Sequence, residues 1–287
     1  MTFADLSTHP KVRRAIAASP HWHEVHHLEV VDSTQNEALR ALRGGAAVGL
    51  VVVADAQTAG RGRLGRPWKD TVESASGPAN LAVTATARSA GSASDRLLPV
   101  LPLAVGIALA RAIERLGVTS SLKWPNDVLL GPGKVAGILI ERHILPQAVA
   151  GGEAGGGARP EAVLLVGCGI NVDWRGIERD ELSRSAWSVA EERDGDVDRA
   201  QVLAHLLTEL TAIWAADVDT VLAEYRRRCA TLGRDVRVER PGRAPLYGRA
   251  IDLDSQGRLI VRPSTGADER IDVGDVIHVR AAETSRP

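Results

Sequence analysis

The chain has only two cysteines in 287 residues, Cys168 and Cys229. They are too few and too far apart in sequence for a disulfide framework or a zinc knuckle, so both are expected as reduced, buried thiols. No run reaches the ~18 apolar residues that a membrane span needs. The N-terminus carries acidic and histidine residues where a secretory signal needs an apolar core. These absences predict a cytoplasmic protein with no membrane partner. The formal net charge is −1, so no bulk field draws the chain to nucleic acid or an anionic membrane. Lysine is nearly missing: Lys11, Lys69, Lys123 and Lys134 are the only four. Asparagine is as scarce, at Asn36, Asn80, Asn126 and Asn171. A chain that otherwise uses arginine, yet keeps two lysines eleven residues apart, hints at sites that need a compact ammonium rather than a planar fork.

What is present reads as mixed α and β structure. Residues 1–27 suggest a short helical lead-in followed by HWHEVHH, a histidine cluster with no matching carboxylate or cysteine set and therefore expected as a solvated segment. LEVV is a short strand. Thr34 and Glu37 have capping-box spacing before an amphipathic helix. GLVVVADAQ is apolar enough for a central strand, NLAVTATAR is another, and residues 96–117 read as a helix with its prolines early and Gly117 as its stop. SLKWPNDVLL gives strand, turn and strand, GPGKVAGILIER continues as a hairpin, and VLLVGCGINVDW resumes as a buried strand. Between them, residues 148–162 are rich in glycine and alanine and read as a flexible surface loop, a passive insertion. Residues 198–230 suggest two amphipathic helices. Beyond Gly233 only short alternating runs remain, split by PG, DSQG and TGAD turns, the pattern of a small all-β barrel. The predicted domains are 1–232 and 233–287.

Three motifs carry chemistry. QTAGRGRLGRPW, residues 57–68, alternates glycine with arginine between two apolar strands. Exposed backbone N–H groups and forked guanidinium donors suit a phosphate or adenylate, and without a ligand such a loop is expected to repel itself into disorder. A Gly-Arg segment for RNA is the alternative, but those usually lie in long tails. KWPNDV brings Lys123, Asn126 and Asp127 into one tight turn, with Lys134 on the next strand among small residues. A lysine in an apolar strand is costly unless paired, so Lys134 is expected to meet a carboxylate or phosphate. GCGINV puts Gly167 and Gly169 in a buried strand, where another backbone or a flat ligand can approach. No histidine stands in a nearby motif to activate Cys168.

DSTQN, QTAGRGRLGRPW, KWPNDV, GKVAGILIE and GCGINV, in this order, resemble the catalytic and C-terminal domains of biotin protein ligases over residues 28–280. The resemblance implies an α+β fold: a mixed sheet flanked by helices, like that of class II synthetases, followed by an SH3-like barrel. It implies activation of biotin by ATP, with Mg²⁺, to biotinyl-5′-AMP and pyrophosphate, then transfer of biotin to a lysine of a biotin carboxyl carrier domain of acyl-CoA carboxylases. Carried over, Ser33, Thr34, Gln35 and Gln57 meet biotin, with Gly137 and Gly169 lining its pocket. Arg61, Gly62 and Arg63 cover its carboxylate and the α-phosphate, and Arg63 retains the adenylate. Lys134 contacts both groups, Lys123 and Asn126 serve ATP, Arg66 and Asn171 join the adenylate site, and Trp68 orders over adenine. Arg63, Lys123, Asp127 and Lys134 are the expected catalytic set, Asp127 as a candidate to orient or deprotonate the acceptor lysine. No metal ligands are assigned. The DNA-binding domain of the repressor subclass is not seen, so no DNA partner is expected. DSTQN departs from the DSTN order of many relatives, which leaves Gln35 less defined than Ser33 or Thr34. A lipoate or octanoate ligase of the same fold and a non-catalytic biotin sensor are the alternatives.

Overall fold

In the computed structural model, residues 5–69, 73–74, 77–89, 96–145, 161–180, 183–272 and 274–278 are described. Three helices and three strands open the order of elements together with two short ones: α1 (Pro10–Ala17), β1 (Glu24–Val31), α2 (Thr34–Arg43), β2 (Leu50–Gln57), a short ribbon of β3 (Glu73–Ser74) and β4 (Gly77–Pro78), β5 (Asn80–Arg88) and α3 (Leu101–Glu114). β6 (Ser120–Lys123), β7 (Asp127–Leu130), β8 (Gly133–Leu145) and β9 (Glu161–Asn171) follow, then α4 (Val189–Arg193), α5 (Arg199–Ile213) and α6 (Val218–Arg228). The chain ends in β10 (Asp235–Glu239), β11 (Leu246–Leu253), β12 (Leu259–Arg262), β13 (Glu269–Ile271) and β14 (Asp275–His278).

The main sheet runs β1-β2-β5-β9-β8-β7-β6. β1 and β2 are parallel, and every other neighbouring pair is antiparallel. Its central strands alternate between two apolar faces, as strands covered on both sides must. Val51 and Val53, with Leu164 and Val166, join the large core under α3, α5 and α6, whereas Leu50, Val52, Val163 and Leu165 pack beneath Ala38 and Leu42 of α2. On the α2 face of β9 the next two positions are Gly167 and Gly169. There the side chains stop, and a floor opens beside the helix. The second sheet, β13-β12-β11-β10-β14, is wholly antiparallel. Its inward residues Val236, Val238, Leu259 and Val261 are continuous with the large core. Trp124 ties the two together: its Nε1 donates to Gly257 O at 3.0 Å, and its backbone N to Thr231 Oγ1 at 3.1 Å.

Several expectations change. The first strand starts at Glu24, not Leu28, because its whole length pairs with β2. HWHEVHH is therefore not a solvated segment. Trp22 is 1% exposed and packs edge-on against Trp214, and the His27 ring is inserted between Leu6 N (3.1 Å) and Asp55 Oδ1 (2.9 Å). The cap of α2 is Ser33, whose hydroxyl accepts from Gln35 N at 3.3 Å. Thr34 is thus the first helical residue, and Glu37 pairs with Arg40 instead of closing a capping box. The helix expected over 96–117 starts helical at 96 but passes through a 3₁₀ turn at Leu98–Val100 before α3, with Gly117 at φ +87° beyond its end. In the Gly/Ala-rich stretch, Glu161 and Ala162 already belong to β9, and residues 146–160 lie outside the described ones. No helix among the described residues is long and apolar enough to cross a membrane.

Candidate active site

A cavity of about 460 Å³ lies on the glycine floor. Every residue assigned a role from the motifs lines it, from Ser33 at one end to Lys123 at the other. Three glycines make the floor, Gly167 and Gly169 on β9 and Gly137 on β8, the last being the register partner of Gly169.

One end of the cavity is polar, buried and uncharged. Ser33, Thr34, Gln35 and Gln57 are each at most 8% exposed. The start of α2 and the end of β2 bring them together because β1 and β2 are parallel neighbours. Gln57 Oε1 accepts from Thr34 N at 2.8 Å and from Thr34 Oγ1 at 3.2 Å, and Thr34 Oγ1 accepts from Thr84 at 2.9 Å. Gln35 Nε2 donates to Leu139 O at 2.9 Å, which fixes the amide, and its buried Oε1 has no partner. An unsatisfied buried acceptor is costly. It is a place for a ligand N–H.

The other end is cationic. Lys134 Nζ meets Asp127 Oδ1 at 2.6 Å, so the carboxylate expected to pair with Lys134 comes from the KWPNDV turn itself. Asn126 holds the turn to β8, donating to Ile138 O at 3.0 Å while its Oδ1 accepts from Arg63 at 3.2 Å. Burial pulls the Arg63 guanidinium below its usual range, with Asp127 and Asp275 opposing that shift. Asn171 donates to Lys134 O and Trp187 O, locking the end of β9 to β8. Cys168 points to the opposite face, and burial pushes its thiol up to about 12.

The Gly-Arg loop spans both ends, and it is not the self-repelling coil that its composition suggests. Trp68 N donates to Gly60 O at 2.9 Å, and Gly62 N to Arg66 O at 2.7 Å. Its three arginines diverge to separate acceptors: Arg61 to Glu141, Arg63 to Asn126 and Arg66 to Asp275. Two of the three cations face a carboxylate and the third, Arg63, a neutral amide, so the charges are held apart rather than left to repel one another. Trp68 lies flat on the glycine floor. A Cβ built on Gly169 would stand 2.5 Å from its ring, and one on Gly137 3.0 Å. Lys134 Nζ is 5.3 Å from the ring centroid, within cation–π range. The indole therefore divides the polar end from the cationic end.

Motif reading missed Asn36, Glu141 and Asp275. Glu141 was accessible in principle, since strand alternation from Gly137 puts it on the same face. Asp275 sits in a short barrel strand with no local signal.

The sequence model described as the biotin/lipoate A/B protein ligase family matches residues 28–152, and that of the biotin protein ligase C terminal domain matches residues 231–279. A biotin–[acetyl-CoA-carboxylase] ligase of Mycobacterium tuberculosis is 34% identical over 280 residues, 92% of each chain. The bifunctional ligase/repressor of Escherichia coli is 32% identical across 82% of this chain and 68% of its own. The structure of biotin protein ligase from Aquifex aeolicus in complex with biotin and ATP superposes with a TM-score of 0.69 at 27% identity, covering 91% of this chain and all of the other. With this relatedness along almost its whole length, and with the motifs gathered in one cleft, the chain belongs to the biotin protein ligase family.

Proposed function

We infer that the protein is an ATP-dependent biotin protein ligase. The observation that carries the reading is the polarity of the cleft: an uncharged amide and hydroxyl pocket with an unpaired acceptor at Gln35, and a lysine–arginine end about one indole away. A cyclic urea matches the first and a carboxylate beside a triphosphate matches the second.

In the first half-reaction a biotin carboxylate oxygen attacks the α-phosphorus of ATP. The bond to the β,γ-phosphates breaks, and pyrophosphate leaves with its electron pair. Two anions must approach each other, and the Lys134 and Arg63 cations offset that repulsion and the charge of the transition state. Lys134 is held ready by Asp127, and Arg63 by Asn126. Lys123 and Arg66 add charge on the nucleotide side. Among the described residues no group of three histidine, cysteine, aspartate or glutamate side chains is arranged to hold a metal ion. Mg²⁺ would enter as part of the substrate, on the phosphates of ATP.

In the second half-reaction an acceptor lysine amine attacks the acyl carbon, AMP leaves, and the amine loses its proton. The acceptor is the carrier domain of an acyl-CoA carboxylase. Asp127, the carboxylate paired with Lys134, is the candidate to orient that amine. On this reading the first domain supplies most of the substrate site, and the C-terminal barrel reaches its nucleotide end through Asp275.

A lipoate ligase is the second reading, because the family that matches the first half of the chain includes such enzymes. The buried hydroxyls and amides favour biotin, since a dithiolane ring cannot satisfy Gln35. Pyrophosphate release from MgATP, followed with biotin and with lipoate, tests the assignment. Release that depends on biotin and is lost in Lys134→Ala is the expected result; release with lipoate alone would reverse the assignment.

A further inference from the structure

Arg61 stands apart from the other cations of the loop. Its guanidinium lies at the uncharged end of the cleft, with Nη1 2.9 Å from Asn36 Oδ1 and 3.5 Å from Ser33 Oγ, and Nη2 3.2 and 3.1 Å from the two oxygens of Glu141. Asn36 is itself oriented, because its Nδ2 donates to Asp32 Oδ2 at 2.8 Å, and Asp32 is paired with Arg40 at 2.7 Å. Glu141 also lies 3.5 Å from His143 Nε2. Both members of the Arg61–Glu141 pair are partly exposed, at 32% and 27%. A pair of that kind contributes little to folding stability. Its consequence for the cleft is larger.

A carboxylate and a guanidinium joined through paired oxygens present no net charge. The Ser33–Gln57 end therefore offers hydrogen-bonding groups without a field. Net positive charge is left at the far end, where Arg63 meets a neutral amide and Lys134 shares Asp127. We propose that Glu141 is a positioning residue which, by holding Arg61 against Asn36, closes the biotin-head end of the pocket and makes it electrically neutral, so that the acid enters with its carboxylate toward Lys134. This rests on the ligase reading and deepens it: biotin affinity is set from this end, separately from the nucleotide. Without Glu141, Arg61 becomes a free cation at the wrong end of the site, able to attract the carboxylate there.

Steady-state pyrophosphate release by wild type, Glu141→Gln, Arg61→Ala and the double variant tests this. Glu141→Gln should raise the KM for biotin about tenfold, the size expected from losing one charged hydrogen bond. The KM for ATP, kcat at saturating biotin and the thermal midpoint should stay within about twofold or a few degrees. The double variant should be no worse than Arg61→Ala, since one side chain acts through the other. Asn36→Ala, which removes the second support of Arg61, should give the same selective rise, and it becomes the readout if Glu141→Gln fails to fold. An unchanged biotin KM, a parallel rise for ATP, or additive effects in the double variant would overturn the proposal alone. Absence of biotin-dependent release from wild type would overturn the ligase reading with it.

Discussion

Arg66 Nη2 lies 2.7 Å from Asp275 Oδ2, so the tip of the Gly-Arg loop is fastened to the edge strand of the C-terminal barrel. The pair is partly exposed, at 56% and 32%, and its energy is modest. Asp275→Asn should raise the KM for ATP two- to fivefold, roughly what an exposed ion pair supplies, and leave biotin binding measured by calorimetry unchanged. Equal weakening of both ligands would mean that the barrel supports the whole cleft rather than its nucleotide end.

The Lys134–Asp127 contact makes a different prediction. Lys134→Ala should lower adenylation by about 100-fold or more, the scale of removing a charge aimed at a developing anion. Lys134→Arg should not rescue it, because a planar fork cannot reproduce a point charge between a carboxylate and an indole face. Asp127→Asn should slow adenylation about tenfold by loosening Lys134. Transfer from pre-made adenylate, assayed in the same variant, isolates the second half-reaction. An undiminished transfer rate there would remove Asp127 from it.

Gly169→Ala tests the floor. Its Cβ would stand 2.5 Å from the Trp68 ring and cannot be accommodated without moving the indole. The expected outcome is faster escape of the adenylate into solution, followed as uncoupled AMP release, with little change in the urea midpoint. If the adenylate is held as well as in wild type, Trp68 does not cover the reacting end.

Acid should weaken the seam between the sheets. His278, on β14, lies 3.2 Å from Thr231 Oγ1. Burial, with the charges of Lys123 and Arg234, pushes its pKa down to about 4 from the ordinary 6.5. Between those values the unfolded chain binds a proton that the folded chain does not, so stability falls as the pH drops from about 6.5 toward 4 and is regained as it rises. Urea midpoints at pH 7 and pH 5 should differ less in His278→Gln than in wild type. An identical difference in the two proteins would rule this group out.

The sequence was informative where function compresses several residues into one run. Gly137, Gly167 and Gly169 were readable because glycine inside a strand has little other use than close approach, and Lys134 because a lysine there needs a partner. Strand positions followed from apolar alternation. What escaped depends on residues far apart in the chain. The histidine cluster looked solvated because nothing nearby foretold Asp55 as the partner of His27. The Gly-Arg loop looked self-repelling because its three acceptors stand at positions 126, 141 and 275. The cap moved from Thr34 to Ser33 because Thr34 is required by Gln57 and Thr84.

The β8–β9 pairing runs unbroken from Gly137 opposite Gly169 to Leu145 opposite Glu161. At ~3.4 Å per residue, those eight steps put the far end of the hairpin roughly 27 Å from the floor of the cleft. A change in the length of the connection between Leu145 and Glu161 is therefore absorbed before it reaches the chemistry. A label or an affinity handle seated between Leu145 and Glu161 should therefore leave turnover unchanged.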